Sequence, residues 1–277
     1  MKLLILIILL YSAVAQNRFA VAAALPQNDA SPGGIAVIAV DAFKTSYLFG
    51  RREVLTIDND QQRWAIVGLP LDITPGQYIL SSGKPGQTAA TAFTVIPHRF
   101  GYFETANSEA ASDALSKDGK ADPKALQIAL SLPRSKAPGV RPLFPFQAPV
   151  AGSEILPFGT WLYHRSDKGY QSTSVQYHVD TPRVTSPGDG VIWATIIRQD
   201  GMSVIIDHGK GLVSVLYPLE PIAIKPQQQV RRGQVLGRTM KRKSGVTHLN
   251  WMTLLNGNWV NPTLLLLPAN SFDVGGS

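Results

Sequence analysis

Short apolar segments alternate with clusters of turn-forming residues along most of this chain. Between residues 34 and 96 the apolar segments are separated by glycine, proline and charged residues. Short segments with a turn signal about every 8–12 residues are typical of a small β-sandwich. The predicted strands of this first part occupy residues 34–38, 54–57, 64–69, 78–80 and 91–96.

The middle of the chain has a different character. Residues 106–140 are rich in alanine, serine, aspartate and lysine, and contain one helical candidate at residues 123–130. We interpret residues 98–143 as a connector. Strand signals then return and predict a compact antiparallel β-domain of roughly 120 residues. Its clearest predicted strands occupy residues 191–197, 203–206, 212–216 and 248–254.

These patterns predict a mainly β protein. A small β-sandwich-like N-terminal module at residues 32–97 is followed by the connector and by a second, antiparallel β-domain at residues 144–268. The chain of 277 residues is long enough for two domains of this size, each with its own hydrophobic core.

The first 15 residues carry a targeting signal. Lys2 precedes an apolar run over residues 3–14, and Ala13 and Ala15 supply the small residues of a cleavage site. This combination predicts a secretory signal peptide cut after Ala15, with a second possible site at residues 22–24. The run is shorter than the stretch of about 20 residues that spans a bilayer. We therefore expect an exported protein, periplasmic or secreted, with no membrane span after signal removal.

The amino-acid composition excludes several kinds of site and partner. The chain has no cysteine, which excludes disulfides, thiolate metal ligands and cysteine nucleophiles. The formal net charge of +7 is compatible with an ordinary solvated surface or with attraction to anionic envelope polymers. The cationic run at residues 241–243 indicates either a solvated loop or a contact with an acidic partner. No aromatic interleaving accompanies this run, so we expect no nucleic-acid binding.

Two short segments could carry metal chemistry. Gln176, His178 and Asp180 alternate along a strand-like segment and should share one face, and His248 and Asn250 have the same spacing. A histidine and an aspartate two residues apart on a strand can bind one metal ion. A third ligand from a neighbouring strand would complete a hydrolytic zinc site. Taken alone, each segment is weak evidence, because a single histidine on a strand is more often a structural residue.

The second domain resembles the lysostaphin/LytM-type family of peptidoglycan metallopeptidases. Gln176-Tyr177-His178-Val179-Asp180 stands at the position of that family's H-x-G-x-D motif, and His248-Leu249-Asn250 stands at its H-x-H motif. The first module is similar to the β-rich module found beside such domains in Gram-negative secreted members. The full series of landmarks, in chain order, is 146–152, 158–159, 176–180, 186–191, 204–212, 217, 230–237, 247–251 and 261–262.

The resemblance implies a zinc site that this chain has lost. Family members bind zinc through the histidine and aspartate of H-x-G-x-D and the second histidine of H-x-H, where this chain has Gln176, Asp180 and Asn250. Only Asp180 is retained, and amides are poor zinc ligands. His248 stands at the position of a catalytic histidine, but the second such histidine is missing from residues 217–220. We expect a degenerate member of the family without a bound cofactor.

Three functions remain open. The favoured one is a non-catalytic envelope protein that binds peptidoglycan or, as the resemblance implies for degenerate members, activates an N-acetylmuramoyl-L-alanine amidase. The alternative is an active zinc endopeptidase that cleaves peptide cross-links with the shifted ligand set His178, Asp180 and His248. The third is a structural or assembly factor. Candidate groove residues for binding are Tyr177, Tyr217 and Trp251.

Overall fold

The computed structural model describes residues 24–267 except 45, 60–61, 83–88, 106–126, 128–130, 132–143, 165–168 and 242–246. The predicted signal peptide lies outside these residues. Of the helical candidate at residues 123–130, only Gln127 is described, and its conformation is helical. Within the described part of the chain, no helix is both long and apolar enough to cross a membrane.

Seven strands are found in the described residues of the N-terminal module. They are β1 (Ile35–Val40), β2 (Tyr47–Phe49), β3 (Arg52–Glu53), β4 (Leu55–Asn59), β5 (Gln62–Gly68), β6 (Gly76–Ser82) and β7 (Ala89–Val95). They form two antiparallel sheets, of order β1-β5-β4 and β3-β2-β6-β7. A hydrophobic cluster that includes Val40, Tyr47, Val67 and Leu80 draws residues from both sheets. This arrangement confirms the predicted sandwich-like module.

The remaining described strands continue the β architecture. They are β8 (Tyr102–Thr105), β9 (Gly152–Leu156), β10 (Trp161–His164), β11 (Tyr170–Gln171), β12 (Val175–Val179), β13 (Arg183–Thr185), β14 (Gly190–Arg198), β15 (Gly201–Asp207), β16 (Leu212–Leu219), β17 (Gln229–Val230), β18 (Val235–Arg238), β19 (His248–Leu255) and β20 (Asn258–Val260). A short 3₁₀-helix, Pro262–Leu265, follows the last strand.

One large antiparallel sheet dominates the second domain. Its strand order is β17-β14-β15-β16-β19-β12-β9, with β20 paired to β19. Every residue of the central strands β15, β16 and β19 is buried. One face contributes Leu212, Leu249 and Leu255 to the main core, whereas the other contributes Val213, Val215 and Met252 to a separate cluster. Burial on both faces explains why these strands have continuous apolar runs and little alternation.

The start of the predicted connector takes part in the second domain. Strand β8 lies within residues 98–143 and pairs in parallel with β10, so that Tyr102 lies opposite Trp161. Strand β11 pairs with the other edge of β10. The resulting three-stranded sheet was not predicted, because its strands are only two to four residues long.

A hydrogen-bonded seam joins the N-terminal module to the β19–β20 turn. The Gly68 amide donates to Asn256 Oδ1 at 2.8 Å, and the Gly68 carbonyl accepts from the side-chain amides of Asn256 (3.2 Å) and Asn258 (2.7 Å). A Cβ atom at residue 68 would lie 2.7 Å from the Leu255 carbonyl oxygen, so this close approach requires glycine. The end of β19 at Leu255, where the seam begins, is five residues from Asn250. At a rise of about 3.4 Å per residue this separation is about 17 Å.

Candidate functional site

Three polar side chains form a row across the large sheet. Gln176 on β12 lies directly opposite Asn250 on β19, and Asn250 lies directly opposite Tyr217 on β16. Residues that face each other across antiparallel strands project to the same side of a sheet. The row therefore brings together two of the positions that the sequence assigned to lost metal ligands, together with one predicted groove residue.

The amides of Gln176 and Asn250 bind each other. Gln176 Nε2 donates to Asn250 Oδ1 at 3.2 Å, and the Ser174 hydroxyl donates to the same oxygen at 3.5 Å. The side chains of Gln176 and Asn250 are 1% and 0% exposed. The contact is thus a buried, neutral donor–acceptor pair that links β12 to β19.

Two serines extend this polar contact along the chain. Ser172 and Ser174 are fully buried, and Ser172 Oγ donates to the Ser174 carbonyl at 2.8 Å. Neither serine belongs to the motifs at residues 176–180 and 248–250. Their spacing was a usable signal, because Ser172, Ser174 and Gln176 follow one another at every second residue. We call Ser172, Ser174, Gln176 and Asn250 the amide ladder.

The next row of the sheet brings two histidines together. His178 lies opposite His248 in the β12–β19 register. His178 is exposed, whereas His248 is 1% exposed. Asp180 follows the end of β12 and is exposed, and its backbone amide donates to the Ala151 carbonyl at 3.1 Å. Among the residues that the structure describes, no group of three His, Asp or Glu side chains is arranged to hold a metal ion.

The residues at the family's ligand positions do not fit zinc. Zinc binding needs inward-facing lone pairs from imidazole, thiolate or carboxylate groups. The oxygen of Asn250 instead accepts from Gln176 and Ser174. The remaining polar atom of that amide, Nδ2, is a buried donor with no hydrogen-bond partner in the described structure. A donor at this position repels a cation, and Asp180 alone cannot complete a site.

Two of the predicted groove residues are core residues, which corrects the sequence interpretation. Tyr177 is 6% exposed and Trp251 is 0% exposed, and both belong to the main hydrophobic core. Each is the sequence neighbour of a site residue on the same strand, so its side chain projects to the opposite face of the sheet. Burial, and secondarily the charge of Glu154, raises the pKa of Tyr177. Neither ring can line a groove at the site.

Tyr217 does lie on the face of the amide ladder. Its position opposite Asn250 agrees with a place beside the site. The side chain is 8% exposed, and its hydroxyl donates to the Asp200 carbonyl at 3.4 Å. A binding role for Tyr217 stays a prediction.

A hydrogen-bonded chain of buried side chains supports the sheet on its other face. His208 Nδ1 lies 2.7 Å from the Asp189 carbonyl oxygen, and His208 Nε2 lies 2.9 Å from Ser214 Oγ. Because a carbonyl only accepts, Nδ1 carries the proton and Nε2 accepts from the Ser214 hydroxyl. Ser214 Oγ in turn accepts from Trp251 Nε1 at 3.2 Å. Complete burial lowers the pKa of His208 to about 4, so this histidine is a neutral structural residue.

Two further charged groups are at least partly exposed to solvent. Glu220 is half-exposed, and its carboxylate lies 3.9 Å from the Arg238 guanidinium. Lys241 is exposed, and the other two residues of the cationic run at 241–243 lie outside the described part of the chain.

Two family models match separate parts of the chain. The model of peptidase family M23 matches residues 168–262, and the model of the peptidase family M23 N-terminal domain matches residues 28–97. The matches lie in the second β-domain and in the N-terminal module, and they confirm the resemblance inferred from the sequence. No curated protein matches the chain.

One solved structure shows the same fold, and two others match with lower TM-scores. A crystal structure of a peptidase M23 protein from Pseudomonas aeruginosa is 24% identical, with a TM-score of 0.64 over 87% of this chain and 96% of that chain. Helicobacter pylori Csd3 is 15% identical, with a TM-score of 0.39 over 83% and 77% of the two chains. Lysostaphin is 16% identical, with a TM-score of 0.38 over 48% and 57%. At 24% identity, the likeness to the Pseudomonas aeruginosa structure concerns the fold alone.

Proposed function

Because the chain is a LytM-type member of peptidase family M23, with both its peptidase domain and its N-terminal domain, we propose that it binds peptidoglycan without cleaving it. In this proposal the protein is exported through the predicted signal peptide at residues 1–15 and acts in the periplasm or outside the cell. Binding places it on the wall either alone or as an activator of an N-acetylmuramoyl-L-alanine amidase.

The amide ladder carries the proposal. Hydrolysis in a zinc peptidase depends on a metal that polarises the scissile carbonyl and activates a water molecule. Two of the three ligand positions hold neutral amides that bind each other, at 3.2 Å and out of contact with solvent. Since this contact uses the lone pairs of Asn250 Oδ1, a metal ion would have to break it before that oxygen could act as a ligand.

A second candidate function keeps catalysis. It rests on His178 and His248, which face each other across β12 and β19 and could replace the lost ligands together with Asp180. The exposed Asp180 would have to move toward the two imidazoles to complete the set. This candidate requires a rearrangement that the first does not.

Zinc content and wall binding together test the proposal. We expect elemental analysis of the purified mature protein to find zinc at background, with and without His178→Ala. We also expect the protein to sediment with purified sacculi and to release no soluble fragments from them. About one equivalent of zinc, lost in His178→Ala, would favour the second candidate. Failure to sediment with sacculi would contradict the proposed binding.

Amidase activation is measured in the same preparation. The purified protein is added to an N-acetylmuramoyl-L-alanine amidase acting on dye-labelled sacculi, and dye release is compared with that of the amidase alone. A faster release supports the activating role. An unchanged rate with retained sacculus binding assigns the protein to binding alone.

A further inference from the structure

A two-stranded ribbon carries an arginine pair near the amide ladder. Strands β13 and β18 are antiparallel, and Arg183 lies directly opposite Arg238 in their register. Both arginines are exposed, whereas Val184 and Leu236 of the same strands are buried. The two guanidinium groups therefore project to the same, solvent-facing side of the ribbon.

The charges of this pair are poorly compensated within the chain. Like charges directly opposite each other destabilise an antiparallel pair. Glu220 approaches Arg238 only to 3.9 Å, and the two side chains are 47% and 66% exposed. Arg183 has no ion pair within the part of the chain that the structure describes. One carboxylate thus faces two guanidinium groups, and the ribbon keeps a net positive charge.

Backbone hydrogen bonds hold the ribbon beside the site. The Thr239 amide donates to the Pro182 carbonyl at 2.7 Å, and the Met240 amide donates to the Pro218 carbonyl at 3.2 Å. Pro182 follows Asp180 by two residues, and Pro218 follows Tyr217 directly. The end of β18 is therefore fixed between the segment that follows β12 and the end of β16, and Tyr217 of that strand lies opposite Asn250.

We propose that Arg183 and Arg238 form a binding site for the carboxylates of a peptidoglycan stem peptide, an inference that rests on the proposed peptidoglycan binding. A guanidinium group is planar and donates two parallel hydrogen bonds to one carboxylate. Two such groups on neighbouring strands match a peptide that carries several carboxylates. Binding replaces the repulsion between the arginines with two attractive contacts, and needs no metal.

The test measures binding of one synthetic stem peptide, L-Ala-γ-D-Glu-meso-diaminopimelate-D-Ala, to the full mature chain by isothermal titration calorimetry. We expect Arg183→Gln with Arg238→Gln to weaken binding about tenfold or more, as for the loss of a hydrogen bond to a charged group. The matched control is Arg51→Gln with Arg99→Gln, which removes the same charge from two exposed positions outside the second domain. We expect less than about a twofold change in the control.

A second probe isolates the carboxylates. The same peptide with its carboxylates amidated should bind the unmodified protein as weakly as the acidic peptide binds the glutamine variant. Binding of the acidic peptide should also weaken with added salt, and less steeply in the glutamine variant. Circular dichroism of each variant confirms that these surface substitutions leave the fold intact.

The outcomes separate this inference from the proposed function. Unchanged peptide binding in the glutamine variant, or an equal loss in the control, overturns the arginine site even where the protein still sediments with sacculi. Tight binding of the amidated peptide overturns it as well. If the unmodified protein binds neither the peptide nor sacculi, both the arginine site and the proposed function are wrong.

Discussion

The buried His208 makes the stability of this protein depend on pH in a calculable way. Its pKa falls from an ordinary value of 6.5 to about 4 in the folded state, chiefly because burial penalises the imidazolium. Between these two values the unfolded chain binds a proton at this residue and the folded chain does not. Stability is therefore complete above about pH 6.5 and is lost as the pH falls toward about 4.

The size of the stability loss follows from the shift in the pKa of His208. A difference of about 2.5 pKa units, at about 1.36 kcal/mol each, gives about 3 kcal/mol for the free energy of unfolding. No discount for solvent screening applies, since His208 is 0% exposed. A loss of this size is a large fraction of the total stability of an ordinary domain, about 5–15 kcal/mol.

Urea unfolding of the mature protein at several pH values between 7 and 4.5 measures this effect. Other groups titrate in the same range, so the comparison is with His208→Asn, which keeps an N–H donor for the Asp189 carbonyl and does not titrate. We expect the variant to be less stable at pH 7 and to lose about 2.5 kcal/mol less than the unmodified protein by pH 4.5. The control is His98→Asn at an exposed histidine. Its pH dependence should match that of the unmodified protein.

Equal slopes for His208→Asn and the unmodified protein would refute the argument. If the variant does not fold, the imidazole nitrogen shifts of His208 in the unmodified protein serve instead. We expect them to remain those of a neutral ring with the proton on Nδ1 down to pH 5. A protonated His208 ring at pH 6 would also refute the argument.

Two further predictions concern the amide ladder. Asn250→Ala should lower the free energy of unfolding by about 1–3 kcal/mol, because it leaves the buried Gln176 donor without its 3.2 Å acceptor. Chemical denaturation measures this loss. The control is His178→Ala at the exposed position two residues after Gln176, whose free energy of unfolding should stay within about 0.5 kcal/mol of that of the unmodified protein. Restoring the family pattern with Gln176→His, His178→Gly and Asn250→His should recover zinc binding before it recovers hydrolysis, as measured by elemental analysis and sacculus digestion. Hydrolysis of sacculi by the unmodified protein would contradict the proposal that it binds peptidoglycan without cleaving it.

The sequence predicted the architecture well because local signals specify it. Turn residues mark the strand ends, and the Asn256-Gly257 turn has the two positive φ angles, 41° and 81°, that this dipeptide favours. The sequence also indicates to which face of the sheet each side chain projects. Strict alternation assigns Tyr177 and Trp251 to the face opposite Gln176 and Asn250. Their assignment to a groove overlooked that rule.

Pairings between distant segments could not be predicted from the chain alone. Gln176 meets Asn250 across 74 residues of sequence separation. Arg183 meets Arg238 only because β13 and β18 pair. Strand β8 pairs with β10 although β8 lies inside the predicted connector, far from β10 in sequence. Register of this kind depends on the whole sheet, so the composition of either strand does not reveal it.

The residues at the positions that the resemblance assigns to metal ligands form a consistent set when their solvation is considered. A carboxylate at residue 176 or 250 would be buried and would require a charged partner or a metal, and a neutral imidazole there would require hydrogen-bond partners for both ring nitrogens. Two amides avoid this cost because one donates and the other accepts, and both remain neutral at every pH. Asp180 keeps its carboxylate where it is exposed and hydrated. The two amides thus link β12 to β19 through a buried hydrogen bond that needs no metal ion, while the carboxylate stays at the exposed position.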